Sequence, residues 1–526
     1  VSHPDAPGPL ADELDPRLPC LVGTGRHTWH PDGPPAPEPL EMWSIVARLA
    51  ADDAGASVDP IAHVDDLSVV HCQSWAYDHP SARAADRLGT VTARLHESIL
   101  AGTSPQRLLD AAARRMLRGE CEVALVVGAE AAATRRAYER AGEPVPWSHP
   151  HPTPPRLPIE LEAWYLPTEI AHGVLPAWLT FALLEQARWA ARGATAAGRA
   201  ELARTMGRLQ AVAASNPDAW FRGEALAGDP TQPGAANRMV ATPYAKRMTA
   251  FPDVDMAAAN LLVTKAVADA WGVPEERRAY LRGWGFARDA VHLAARDDLA
   301  SSPGMRAATA EALAVAGMTV DDIDAFDLYS CFGSAVQFAL DALGLDVDDP
   351  RPISLTGGLP YHGGPSSNFV GHSTSHALDH LRASPGRTVM VTGVGMHMTK
   401  HVAGIWSTRP GPIGQPPDHG EQRWAGHART EVPVHAVHHG PARVVAATAV
   451  HGRDGAPEHA IAICELPDGG RCYARTTDEE AIAAVAVDAW AGATVELAPT
   501  EHGTNELRWG AGAAGSTPRH EATSLA

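Results

Sequence analysis

Two short stretches gather most of the side chains that could do chemistry. One is Asp327-Leu328-Tyr329-Ser330-Cys331-Phe332-Gly333. The other is Gly357-Gly358-Leu359-Pro360-Tyr361-His362-Gly363-Gly364-Pro365, with Asn368 just beyond it. A cysteine attacks only as the thiolate, and in apolar surroundings it is an inert buried thiol; at the end of a buried run, Cys331 fits the inert role better. Tyr329 and Tyr361 exchange protons near neutrality only where their pKa values are lowered, and a buried tyrosine bonded to backbone is the equal alternative. The glycines at 357–358 and 363–364 allow main chain to approach a ligand, or they only make tight turns. His362, His397 and His401 are further acid–base candidates. His372, His376 and His380 recur at helical spacing, a stripe that can bind zinc. With no carboxylate partner motif nearby, packing or capping outweighs it, and no metal is expected. Ser104, within Thr103-Ser104-Pro105, carries an unactivated hydroxyl whose position suits a helix cap.

Alternating apolar elements must hold these groups. The residues predict strands at 18–22, 66–72 and 121–128 and helices at 38–54, 81–88 and 105–118, the pattern of a largely parallel sheet covered on both faces. Further helices are predicted at 178–192, 197–214, 257–271 and 305–316, and strands at 279–284 and 323–332. A helix at 369–381 followed by a strand at 387–394 echoes the earlier helix–strand unit, a possible internal duplication. Residues 132–241, rich in Pro, His and Gly, read as a long excursion from the sheet. Past a Gly/Pro linker at 410–415, β-like runs with clear turns predict a separate all-β module. The first thirteen residues and the tail after Trp509 read as loose.

The chain has 526 residues, 43 Lys and Arg against 62 Asp and Glu, and a formal charge of −19. Such a surface disfavours nucleic acid and anionic lipid. No stretch reaches the roughly 18–20 apolar residues of a membrane span. The six cysteines include no C-x-x-C pair, so disulfides and a structural zinc site are not expected, and a reducing cytoplasm is the default compartment.

Both stretches, together with Gly119-Glu120 leading into Val126-Val127-Gly128-Ala129-Glu130, look like thiolase-superfamily motifs. Asn237-Arg238-Met239, Pro243-Tyr244-Ala245-Lys246 and Thr399-Lys400-His401 resemble the thiolase-like protein type 1 group, acetyl-CoA acetyltransferase-like proteins related to sterol-carrier thiolases. The resemblance covers roughly 18–408. It implies an α/β fold of two duplicated βαβ halves, layered α/β/α/β/α, with an extra C-terminal β domain. The halves would be 15–275, with 132–241 as a lid over coenzyme A, and 276–410, and the barrel-like module 416–510.

The departures from that family are chemical. By this alignment the nucleophilic cysteine becomes Gly102, the Gly-His-Pro histidine becomes Gly364, and the second cysteine becomes Val391. The expected protein is therefore a cytoplasmic transferase-like member of lipid metabolism that binds acyl-CoA or an acyl-carrier thioester, with standard thiolase activity not expected. It would carry no tightly bound cofactor; a coenzyme A thioester would be substrate or ligand. Monomer, dimer and a small partner protein all stay open. Tyr329, Cys331, His362 and His397 are the candidate catalytic residues, and Ser104, Gly363, Gly364 and Asn368 the candidate ligand-binding ones. By resemblance, the alternatives are a retro-aldolase-type carbon–carbon lyase, using Tyr329 and a histidine in place of cysteine, and a non-catalytic acyl-CoA-binding or partner protein.

Overall fold

The computed structural model describes residues 14–154, 164–193, 195–414, 431–487 and 490–508. The expectations for residues 1–13, for the linker beyond 414 and for the tail after Trp509 lie outside them. The first half runs β1 (Pro19–Thr28), α1 (Pro39–Asp53), β2 (Asp66–Val69), α2 (Pro80–Leu88), β3 (Arg94–Glu97), α3 (Ser104–Leu117) and β4 (Val123–Ala131). The excursion carries α4 (Ala132–Ala141), α5 (Pro167–His172), α6 (Ala177–Ala191), α7 (Thr195–Ser215) and the short β5 (Met239–Ala241) and β6 (Tyr244–Ala245). Then β7 (Asp255–Thr264) closes the half. After α8 (Lys265–Ala270), the second half runs β8 (Ala279–Arg288), α9 (Pro303–Ala316), β9 (Ala325–Asp327), α10 (Gly333–Leu343), α11 (Phe369–Ala383), β10 (Thr388–Gly395) and β11 (Lys400–Ser407).

These strands form one nine-stranded sheet, β3-β2-β4-β7-β1-β8-β11-β10-β9. Read outward from the β1–β8 junction, each side presents the first, last, penultimate and second strand of its half, so the duplication is written in the topology. The counterpart of β3 is the segment around Pro352–Ile353, whose carbonyls accept from Phe326 and Leu328. Matching Gly-x-Gly pairs support the relation. A Cβ on Gly25 would lie 2.0 Å from the Val46 carbonyl of α1, and one on Gly285 would lie 2.1 Å from the Ala308 carbonyl of α9. Each half thus uses glycine to let its outer helix approach its first strand. The central helices α3 and α11 touch each other and strands of both halves.

Three local expectations change. The helix predicted at 257–271 is mostly β7, with only α8 helical. Its run Ala257-Ala258-Ala259-Asn260-Leu261-Leu262 has high helix propensity, but every residue of β7 is buried. Small side chains suit a central strand covered by helices on both faces, and tertiary packing overrides propensity here. The excursion is more than a lid. In α6 eleven of the fifteen residues are buried, and Leu183, Trp189, Leu202 and Met206 of α6 and α7 join the main core. A helix apolar nearly all round must be enclosed.

The third change concerns the C-terminal module, which is not all-β. Strands β12 (Gly440–His451), β13 (Pro457–Glu465), β14 (Arg471–Thr476), β15 (Thr494–Pro499) and β16 (Asn505–Arg508) close a barrel in the order β12-β13-β14-β16-β15-β12, with helix α12 (Glu479–Val487) between β14 and β15. On β13 the alternation is buried on both faces: Ala460, Ala462 and Cys464 point into the barrel core, while Ile461 and Ile463 join the core of the main body. Tyr473 of β14 adds a buried bond to the Glu169 carboxylate at 2.7 Å. The barrel is therefore docked through apolar surface. A chain cut at a protease site engineered between 415 and 430 is expected to elute from gel filtration as one species; a freely separating barrel would contradict this packing. No helix among the described residues is long and apolar enough to cross a membrane.

Candidate functional site

The chain enters α3 through Gly102-Thr103 and α11 through Ser366-Ser367-Asn368, and the two helix starts meet. The amide of Ala101 donates to Ser367 Oγ at 3.1 Å. Neither helix start carries a side-chain cap, so the first-turn N–H groups of both lack that acceptor. Ser104 does not cap α3 as expected. Its hydroxyl instead donates back to the Ile99 carbonyl at 2.8 Å, tying down the loop before the helix. Asn368 donates to the Gly128 carbonyl at 2.7 Å, fixing the start of α11 against β4.

Tyr329 lies between these helix starts. Its amide donates to Thr392 Oγ1 of β10 at 2.9 Å, and its ring stands edge-on to Phe369, the first residue of α11, at 5.7 Å. The other end of the ring reaches α3. A Cβ on Gly102 would lie 2.3 Å from Tyr329 Oη and 2.3 Å from the Val394 carbonyl. The phenol thus occupies the space that any side chain at 102 would need. Its hydroxyl has no hydrogen-bond partner among the described residues. Burial raises its pKa above the ordinary tyrosine value, with Cys331 adding to the effect, so it stays protonated at neutral pH. The lowered pKa that would make Tyr329 a base is absent; the group is a proton donor.

Cys331 is buried, and its thiol pKa is likewise pushed up by burial. No base among the described residues bonds to it, so its environment favours the inert role. His362 reaches Phe369 at the start of α11, but its other ring neighbours lie further along that helix. Its ring sits edge-on to Phe369, His372 and His376, with centroids 5.8, 5.5 and 5.5 Å away. Its Nε2 has no partner among the described residues, and burial holds its pKa down to about 3. Two members of the zinc-like stripe, His372 and His376, thus join His362 in a buried, neutral cluster, while His380 is only partly buried and lies toward Asp324 and Arg387. Near it, Arg26 donates to the Asp218 carboxylate at 2.6 Å and to Ser375 Oγ at 3.0 Å.

His397 takes partners that the sequence did not suggest. It bonds Tyr165 Oη at 2.5 Å and Thr180 Oγ1 at 2.7 Å, and burial lowers its pKa to about 4. Neither of these residues bonds Tyr329, although Gly395, two residues before His397, packs against Ala101 and Thr103. No local signal could have found Tyr165, which lies 232 residues away in sequence. His401 bonds Asp289 at 2.9 Å and Ser302 at 3.2 Å. That trio is a helix cap rather than a nucleophile relay, because Ser302 and Asp289 accept from the first amides of α9.

Gly363 has φ 103° and lies against Met256, Val254 and Trp220, while the Gly364 amide donates to the Phe251 carbonyl at 2.9 Å. The Ala250 amide in turn donates to the Cys331 carbonyl, so the 249–251 segment joins both motif stretches. Beyond that segment lies a cavity of about 310 Å³, lined by Phe221, Phe251, Pro360 and Tyr361 with Lys246 and Arg247. That volume is at the small end of ligand pockets, and Glu224 lines it beside the two cations. The remaining family marks are structural: Asn237 bonds the carbonyls of Pro230 and Gln232, and Tyr244 bonds Glu185 and Ser334 inside the core.

Neither a protein-family model nor any curated protein matches the chain. Solved structures do. A monomeric SCP2-thiolase like protein type 1 from Mycobacterium smegmatis is 29% identical, covers 95% of this chain and 100% of its own, and superposes with a TM-score of 0.78. A human mitochondrial 3-ketoacyl-CoA thiolase is 15% identical over 75% of this chain and 100% of its own, TM-score 0.53. An Ltp2-ChsH2(DUF35) aldolase is 18% identical over 74% of this chain and 98% of its own, TM-score 0.54. The last two likenesses are of fold alone.

Proposed function

We propose that this chain, similar in fold to an SCP2-thiolase like protein type 1, binds an acyl thioester of coenzyme A between the starts of α3 and α11 and handles it without forming an acyl-enzyme. One observation carries this reading: position 102 has no room for a nucleophile, and a protonated phenol, Tyr329, fills that space. The uncapped helix starts supply N–H groups and the positive ends of two dipoles, which favour a developing oxyanion. Tyr329 adds a hydrogen-bond donor to the same point. The cavity beyond residues 249–251 would take the pantetheine arm, with Lys246 near the phosphates.

A second reading, a retro-aldol carbon–carbon lyase, is favoured by the phenol itself: as the carbon–carbon bond breaks, the enolate takes the proton Tyr329 holds at neutral pH, and the proton lost by the substrate's β-hydroxyl restores the phenol. Native mass spectrometry with a panel of acyl-CoAs tests the first reading. The expected result is one non-covalent ligand per chain, no acyl mass left on the denatured chain, and no acetoacetyl-CoA thiolysis sensitive to iodoacetamide. A covalent acyl adduct would overturn it. For the lyase, a released carbonyl product without consumption of free coenzyme A is the signature. Tyr329→Phe is then expected to lower turnover by roughly 10²-fold or more with ligand retention unchanged.

A further inference from the structure

A second cavity, of about 570 Å³, opens at the other end of α11, lined in part by Arg282, Arg387, Arg409, Asp321, Asp322 and Asp324. At 1.5 Å per residue, the fifteen residues of α11 set it roughly 22 Å from the Tyr329 end. Its floor is the register pair Thr388–Ser407, where β10 begins and β11 ends. The thioester reading uses none of these residues.

The three arginines and three aspartates of this cavity balance in number but do not all pair. Arg387 pairs with Asp324, whose other oxygen accepts from the Thr388 amide. Asp322 accepts from the amide and hydroxyl of Thr319. That leaves two guanidinium groups. Arg282 on β8 is only 8% exposed, donates from Nη1 to the Arg409 carbonyl at 3.1 Å, and has no partner for Nε among the described residues. It has no carboxylate partner among them either. The Arg409 guanidinium lies over Gly386, where a Cβ would be 3.0 Å from Nη2, and it too has no carboxylate partner there. Arg188, more deeply buried, shows the usual arrangement, bonded to both Asp341 and Glu201. A buried cation without an anion is costly, and burial alone lowers the pKa of Arg282.

We propose that Arg282 and Arg409 form a binding site for a phosphate group, either free or as the monoester of a larger ligand. Two guanidinium groups with no bonded carboxylate among the described residues line the cavity, and planar guanidinium forks bind tetrahedral oxyanions through paired N–H groups. Asp321, exposed at the rim, works against polyanions, so the site fits a single small group.

The test is a ³¹P NMR and thermal-unfolding titration of the full chain with inorganic phosphate and with glycerol phosphate, against chloride at matched ionic strength. Phosphate stabilises proteins generally by exclusion from their surface, so the comparison with a variant is decisive. The wild type is expected to broaden the phosphate resonance and to gain melting temperature with rising phosphate. Arg409→Gln, on an exposed side chain, is expected to melt as the wild type does in chloride and to bind phosphate roughly tenfold more weakly or worse. Arg282→Gln is expected to act in the same direction; Arg409→Gln decides the matter should that variant fail to fold. Tighter binding of glycerol phosphate would assign the site to a monoester, and tighter binding of inorganic phosphate to the free ion. Equal phosphate stabilisation of the wild type and Arg409→Gln, or no broadening with the wild type, would overturn the site and leave the thioester reading untouched.

Discussion

Gly102→Ala is expected to cost the folded protein about 3 kcal/mol, the upper end of what an overpacked methylene costs. The new Cβ would meet Tyr329 Oη and the Val394 carbonyl, both at 2.3 Å. One is held by a ring packed on Phe369, and the other belongs to a strand inside the sheet, so neither yields cheaply. Urea unfolding should show a lower midpoint with an unchanged slope. Gly102→Cys, with a larger side chain than alanine, should fare no better. Adding Tyr329→Ala should recover only part of the loss, because the Val394 carbonyl remains. An alanine variant as stable as the parent would mean that position 102 has room, and the absence of an acyl-enzyme would lose its structural ground.

The buried histidines give the second large effect, which depends on pH. Burial holds the folded-state pKa of His362 at about 3, far below the roughly 6.5 of an unfolded chain. A depressed pKa contributes stability that is fully present above the unfolded value and is lost as pH falls toward the folded one. At pH 5 the loss for His362 is about 2 kcal/mol. His372 and His376, also held down by burial and by Arg26, act in the same sense. Asp110, Glu130 and Glu185 are pushed by burial up to about 7 and titrate in the opposite sense, gaining stability as they protonate. The whole-protein curve therefore mixes both signs, and the informative quantity is a difference. Between pH 8 and pH 5, the stability of His362→Leu relative to the parent is expected to shift by about 2 kcal/mol in favour of the variant. A difference that stays flat with pH would show that His362 is solvated.

The sequence carried much of the strand–helix order of both halves and the motif stretches, because those signals are local, but it left β3, α10 and β11 unread. Apolar runs bounded by glycine and proline, such as 121–128, keep their meaning wherever they pack. The helix expected at 257–271 failed for the opposite reason: an alanine-rich run has no preference strong enough to resist being placed centrally in a sheet. The candidate site divided along the same line. Tyr329 and the starts of α3 and α11 could be named from motif positions, since helix starts and strand ends are sequence-local. That Gly102 leaves space only for the Tyr329 phenol, that Tyr165 and Thr180 hold His397, that His362 turns inward to His372 and His376, and that Arg282 lies buried without a carboxylate were decided by tertiary structure alone. Each is a contact between residues far apart in the chain, and the desolvation that sets a pKa exists only once distant segments have closed over the group.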